Sequence, residues 1–534
     1  MLIYFVVAPI LMAVFMYLYT NDKIAKIVAI LAQAALFVAS FNMFLTARYS
    51  SIEIVVGGYY SVTGITLRAS VFNSALIIIT TLVFLMITIY NFPEPKSKMF
   101  WLLMFIWEGA LIGIFLTGDF FNRFVLMEVA TIISTILIMY KREDRSMYDG
   151  LYYLVINVVS VQFYLFGVGY LYRLTGTLDM QRATAIIQTL PQEQLMLPYA
   201  LIMVFAAMKC ALVPMSNWMP KALSTQGSPP TVNAVMASVH MVSGLYLFIS
   251  MHNVFSHMQQ NYLFIIMGGL TSIVAIFFGL AQRNIKKLLG NVAVVQFGLI
   301  IIALNIGYYY NQLGAMYHMI NYALFSAILF LGVGLILARY KTNRISEIKG
   351  VLKRMPVTSI SLIFAVLGII GTPLFSGSVS TYFMLRDADM WVSIIIAVIG
   401  IGNFALFARF STIFFGKSKD LTDRNMSSLK FQAIPLLPLA IICFAGGIFG
   451  DDLLSFLLNT PATISPGGIL QKLIWFGISL VFGFVLHKVT GANALHGVRQ
   501  GVFFKIRRYD MGFRGIVLSV GIFFAVIMLT MILI

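Results

Sequence analysis

The chain has 534 residues, 60% of them hydrophobic and only 10% charged, with a mean hydropathy of +0.93. No soluble domain of this size is so apolar, so a polytopic all-α membrane protein is expected and a soluble enzyme is excluded. The net charge of +17 reads as loop lysines and arginines that set topology, not as a nucleic-acid surface.

Apolar runs of about spanning length fall near residues 2–20, 25–47, 70–92, 100–118, 120–140, 150–172, 196–219, 231–250, 262–282, 288–309, 313–338, 357–385, 390–416, 431–450, 467–487 and 514–534, sixteen in all. The first begins at Leu2 with no basic segment before it and no small-residue cleavage site after it, so it reads as a retained span. Lys and Arg gather in the loops that follow odd-numbered spans; the richest runs from Arg339 to Arg354. That bias puts those loops in the cytoplasm and both termini outside. Residues 48–69 are not a span: IEIVVGGYYSVTGITL alternates like two short strands around a Gly-rich turn, an external hairpin. Near the other end, 488–514 mixes basic residues with Phe and Val, as a short amphipathic helix at the inner surface or a solvated basic loop would.

Two spans are broken. The seventh carries Lys209, then Pro214 and Pro220. A lysine inside a span costs about 2.5–3.5 kcal/mol on insertion scales, and the prolines leave backbone carbonyls without intrahelical partners. The twelfth, GIIGTPLFSGSVSTYF over 368–383, breaks at Pro373 among glycines. Five spans separate the two positions. Units of five spans, the fourth to eighth and the ninth to thirteenth, would therefore enter the membrane from opposite sides, with a site near their interface. The span after the first break holds His240. Glu108 sits mid-span in FIWEGALIG, where it would pair with Lys209 or with a neighbouring subunit, line a separate cation entrance, or pack as a hydrogen-bonded acid. Arg409 reads as an anchor, and Lys286 and Lys287 as solvated inner-surface residues. Cys210 and Cys443 stand alone in apolar runs, and there is no CxxC, Walker or dinucleotide motif. No metal, redox or other cofactor is expected in this chain.

Several stretches together resemble one family. They are TGDFFNRFVLME (117–128), YLFGVGYLYRLTGTLDM (164–180), MKCALVPMSNWMPKA (208–222), QRNIKKLLGNVAVVQFG (282–298), YHMINYALFSAILFLGVG (317–334), GTPLFSGSVST (371–381) and ARFSTIFFG (408–416). Over about residues 50–420 the chain is similar to the antiporter-like subunits shared by respiratory complex I, Mrp-type cation/proton antiporters and membrane-bound hydrogenases, with the pattern of Mrp D-type members. The resemblance implies fourteen core helices with two inverted five-helix repeats and broken helices seven and twelve; about two extra helices follow at the C-terminal end. It implies a mid-membrane polar axis that moves protons, or exchanges Na⁺ for H⁺, inside a larger assembly of membrane subunits and lipid in the cytoplasmic membrane.

On that axis Glu128 and Lys209 match the family's acid and lysine, and His318 its first helix-eleven histidine. His240 either replaces a helix-eight lysine or is a packing residue. Tyr322 stands where a second histidine is common, Ser326 and Thr381 where lysines stand, Tyr152 in place of another lysine, and Asn284 in place of an aspartate. The second half thus lacks the stored charges, which leaves a second reading: a non-conducting scaffold that fills the antiporter slot. A membrane partner in inorganic-carbon uptake is a further alternative within the family. Any electron transfer would lie in partner chains. The expected division is 1–99, helices one to three with the hairpin; 100–250 and 262–416, the two repeats; and 417–534, the C-terminal helices.

Overall fold

A computed structural model describes residues 2–58, 64–258, 260–417, 426–491, 505 and 512–533. Most of 488–514 lies outside the described residues, so the amphipathic segment expected there is not placed. Every expected apolar run is helical. In chain order the spans are Leu2–Leu18, Asp22–Ala47, Val71–Tyr90, Lys98–Leu116, Phe120–Ile138 and Asp144–Thr175. The seventh is two pieces, Gln192–Lys209 and Trp218–Ser224, and the eighth is Pro230–Val254. Asn261–Ala281, Ile285–Leu304 and Tyr309–Tyr340 follow, then the twelfth as Pro356–Ile369 and Ser376–Leu385, then Met390–Ser411. Met426–Ala433 with Leu436–Ile448, Pro466–Gly491 and Phe513–Leu533 complete the sixteen. Among the described residues, twelve helices are long and apolar enough to cross a membrane unbroken. Helices suit a bilayer because each satisfies its own backbone.

The spans differ in what they face. Spans three, eight, ten and eleven are 89–94% buried over their apolar windows, whereas span fifteen is 6% buried. The first group is the core, and span fifteen lies almost wholly on the outside of the chain. The expected hairpin is present: β1 (Ile52–Val55) pairs antiparallel with β2 (Thr66–Ala69), Ile52 opposite Ala69. Arg68 on β2 ties it down, with Nε 2.9 Å from Glu53 and NH2 2.8 Å from Asp179. Its guanidinium lies over Gly118, where a Cβ would come within 3.0 Å of NH1.

The loops and breaks repeat. Asp119 caps span five by accepting from the Asn122 amide at 2.6 Å, and Asn284 caps span ten by accepting from Lys286 at 2.9 Å. Asn caps as well as Asp does, which is why the exchange at 284 leaves the helix start intact. Each cap residue bridges the loop that closes the following long helix: Asp119 with Asp179, and Asn284 with Arg344. Those long helices, Asp144–Thr175 and Tyr309–Tyr340, each have 32 residues and each end on a left-handed residue, Gly176 and Lys341.

The two breaks share one hydrogen-bond register. In the first, the amides of Cys210, Ala211, Leu212 and Met215 donate to Ala206, Met208, Ala207 and Leu212 at 2.7–3.0 Å. In the second, Ile370, Gly371, Thr372 and Phe375 donate to Val366, Gly368, Leu367 and Thr372 at 3.0–3.1 Å. Every donor–acceptor pair recurs 160 residues later, Cys210→Ala206 becoming Ile370→Val366. Carbonyls at the end of each first half-helix are thus taken up locally, and that of Ile369 accepts from the Asn403 amide at 3.1 Å.

Candidate functional site

Lys209 ends the first half of span seven and is buried, 6% exposed. Its ammonium donates to Asn157 Oδ1 on span six at 2.6 Å and to Thr131 Oγ1 on span five at 3.1 Å, and it lies 5.4 Å from the Phe205 ring centre. The ammonium is thus held by two neutral oxygens. Glu128 is one turn before Thr131 on span five, a turn's spacing that puts both on one helix face. It is half-buried, its Oε1 has no hydrogen-bond partner, and it forms no ion pair with Lys209 among the described residues.

Two features hold the lysine's backbone. Trp218, opening the second half of the span, donates its indole N–H to the Met208 carbonyl at 3.1 Å. Gly244 on span eight lets that helix close onto the break: a Cβ there would sit 3.0 Å from the Lys209 carbonyl oxygen and 3.1 Å from its Cβ.

His240 closes the other side. It lies on a π turn, Met236–His240, that interrupts span eight; such insertions recur at functional sites. Trp107 Nε1 donates to His240 Nδ1 at 3.3 Å, and Tyr153 Oη is 2.8 Å from Nε2. Indole is a donor only, so Nδ1 accepts and the ring proton is on Nε2. The Tyr153 hydroxyl is 3.2 Å from that of Ser134, which donates to the Thr131 carbonyl at 3.0 Å. A cavity of about 10 Å³, roughly the space one water needs, separates Lys209 from His240 and is lined also by Trp218 and Ser243. Met127, Ala130, Met241 and Ile114 make most of the rest of its wall apolar.

In the second unit His318 is buried between Gln296 Oε1 on span ten, 2.9 Å from Nε2, and Ser380 Oγ on span twelve, 2.8 Å from Nδ1. Thr381 and Ser380 both donate to the Gly377 carbonyl, at 2.8 and 3.0 Å. Tyr322 packs edge-on against Phe297, and Ser326 bonds the carbonyls of Tyr322 and Ala323 in its own helix. Neither side chain is a hydrogen-bond partner of His318, whose ring nitrogens are taken by Gln296 and Ser380. By register, Tyr153 of the first unit corresponds to His318 and Thr131 to Gln296, since the 32-residue helices and their caps stand 165 residues apart.

Of the readings open for Glu108, the hydrogen-bonded acid is the one observed: it is fully buried and receives the Gln33 amide of span two at 2.6 Å. The expectation for Lys286 needs correction. Lys286 is not solvated: it is 7% exposed and donates to the Thr225 carbonyl at 3.3 Å, since the chain after the first break folds over the start of span ten. Beside Tyr152, the Lys221 ammonium stands 3.7 Å over the ring centre. Arg409 anchors as expected, donating to the carbonyls of Leu280 and, at 2.6 Å, Gln282 at the end of span nine.

Sequence reading missed Asn157, Thr131, Tyr153, Trp107, Gln33 and Gln296. Asn157 and Gln296 had a signal, each being the lone amide in an apolar run, LVINVV and VAVVQF. The hydroxyls had none, because Ser and Thr in spans commonly bond their own helix.

Comparison with known proteins agrees with this architecture. Residues 117–407 match the family described as NADH:quinone oxidoreductase/Mrp antiporter, TM. The chain is 25% identical to the D-type component of the Na(+)/H(+) antiporter of Alkalihalophilus pseudofirmus, covering 86% of this chain and 96% of that one. It is 29% identical to the N-type component of the NADH-quinone oxidoreductase of Desulforudis audaxviator, over 64% of this chain and 71% of that one. Among solved structures it superposes on one polypeptide of the Mrp complex from Dietzia sp. DQ12-45-1b with a TM-score of 0.79 at 18% identity, covering 90% of this chain and 99% of that one.

Proposed function

We propose, for a chain that belongs to the NADH:quinone oxidoreductase/Mrp antiporter transmembrane family, that it is an ion-translocating subunit of a multisubunit membrane complex and that protons cross it by way of Lys209. The observation that carries this reading is the placement of Lys209. Its ammonium is held at a helix break by two neutral oxygens, with the unpartnered Glu128 carboxylate one helical turn away. A lysine held by neutral oxygens and a lysine paired with a carboxylate differ in how firmly they keep a proton. Span five offers both partners on one face. A charge change elsewhere in the assembly that favours one partner over the other would then shift the population between the two states.

His240, Tyr153 and the hydroxyls of Ser134 and Thr131 supply the proton-carrying groups beside that switch, and the small cavity between Lys209 and His240 has room for one water to bridge those two. His318 continues the axis into the second unit. The units are residues 100–250 and 262–416, inverted with respect to each other, flanked by 1–99 and 417–534. Loop charges place both termini outside the cytoplasmic membrane. The partners are further membrane subunits and lipid. The ion is H⁺, with Na⁺ exchange as the variant that the relatives' names include.

Ion flux in proteoliposomes of the intact native assembly tests this. Lys209→Ala and Glu128→Gln, each checked for assembly, are expected to abolish or strongly reduce flux. Unchanged flux in both would overturn the reading and leave a scaffold whose charged pair does not conduct.

A further inference from the structure

The second break closes in the same register as the first but holds no lysine: by register, Ile369 stands where Lys209 does. An ammonium that shares a cavity with that break comes from outside the five-span unit. A cavity of about 70 Å³ lies between spans twelve, thirteen and fifteen, several times what one water needs. Gly371 and Thr381 of the break line it on one side, Asn403 on another, and Lys472 and Ser479 of span fifteen on the third.

Span fifteen is built to reach there. It is largely exposed, and Gly468, Lys472, Trp475, Ser479 and Gly483, spaced by three or four residues on one helix face, are among its buried or partly buried residues. Gly468 packs on the Tyr382 ring, where a Cβ would come within 2.6 Å. Gly483 packs on Phe404, with a Cβ at 2.8 Å from its side chain. The two glycines clamp the helix close to spans twelve and thirteen, and Lys472 is held between them at the cavity wall. A charged side chain at this depth on an otherwise apolar helix is costly unless it meets water or a partner. The acid that acts on it from beyond the span is Asp451, itself held by the Ile464 amide at 2.7 Å. On the inner side, His318 reaches the cavity wall through Ser380 and its neighbour Thr381, both anchored on the Gly377 carbonyl.

We propose that Lys472 is the proton-exchanging group of the second unit, taking protons delivered from the His318 side through cavity water and releasing them toward Asp451. The inference rests on the translocation reading above and adds a residue and an outlet to it. The step is a plain proton transfer: the ammonium gives one proton to a water on the Asp451 side, becoming an amine and leaving hydronium. The amine then takes one proton from a hydronium in the cavity, so one proton enters for each that leaves and nothing is oxidised or reduced.

Two measurements on the intact assembly in proteoliposomes test it. Proton flux is expected to fall at least tenfold in both Lys472→Met and Lys472→Arg, because a guanidinium keeps the charge but does not release its proton. Rescue by arginine would overturn the proposal in favour of a purely electrostatic role. Flux within twofold of wild type in both variants, with Lys209→Ala inactive, would overturn it and leave the general reading standing; an active Lys209→Ala would overturn both. Second, Ser479→Cys is expected to react with a small hydrophilic thiosulfonate reagent, since native Cys210 and Cys443 are buried. No reaction would mean a dry cavity and would overturn the proposal whatever the flux.

Discussion

Lys209 is bound more tightly to Asn157 than to Glu128 in this state, and a pair of double-mutant cycles measures the difference. The Lys209–Asn157 hydrogen bond is 2.6 Å, buried, and made by a charged donor. Hydrogen bonds to charged groups contribute about 1.5–3 kcal/mol in soluble proteins, while interhelical bonds in membranes average about 0.6 and reach about 1.7 kcal/mol. The charged donor places this one near the top of the membrane range, so the cycle of Asn157→Leu with Lys209→Met is expected to give about 1.5 kcal/mol of coupling, a factor of about ten in equilibrium. Glu128 makes no hydrogen bond to Lys209 and acts on it by charge alone, so the cycle of Glu128→Gln with Lys209→Met is expected to give the smaller coupling of the two. The assay is unfolding of the chain in the assembled complex by dodecyl sulfate titration in mixed micelles. A larger coupling for Glu128 than for Asn157 would refute the neutral cage as the resting partner.

Tyr153→Phe removes the 2.8 Å contact with His240; a stability loss of about 1 kcal/mol and a severalfold drop in proton flux are expected from titration and flux assays. Gly244→Ala places a Cβ 3.0 Å from the Lys209 carbonyl, and forcing spans seven and eight apart should cost about 1–3 kcal/mol, visible as a lower inactivation temperature. In the loop after span three, burial works to raise the Glu94 carboxyl, but Lys96 at 2.6 Å, Gln432 and Lys26 outweigh it and hold the group below the usual carboxylate value. Its contribution is therefore present above the unfolded-state pKa and lost as pH falls through the lower folded-state value. Hydrogen exchange at the contact between this loop and Gln432 should stay slow at neutral pH and quicken only in acid.

The spans, the breaks and the hairpin were legible because each is written in neighbouring residues: apolar length, prolines next to Lys209 and Thr372, alternation through Ile52–Val55. Arg409 was legible because a lone arginine at a span's end has carbonyls close by. What escaped depends on how distant helices turn toward one another. Nothing near Glu108 in sequence says that Gln33 faces it, 75 residues earlier. Lys286 looked solvated because it begins a helix, and only the fold-over of Thr225 buries it. The cage around Lys209 comes from two other spans, and each of its oxygens alone reads as belonging to an ordinary packing residue.

The recurrence of the break over Ile369 has a consequence for how this chain tolerates change. The same four backbone bonds close without an ammonium anywhere in the turn, so the turn does not depend on the residue that makes the first copy reactive. Scaffold and chemistry are separable here. The turn at 209 can therefore lose its charge without losing its shape, so a neutral substitution there is a clean probe of chemistry, with the turn over Ile369 showing the uncharged form in the same chain.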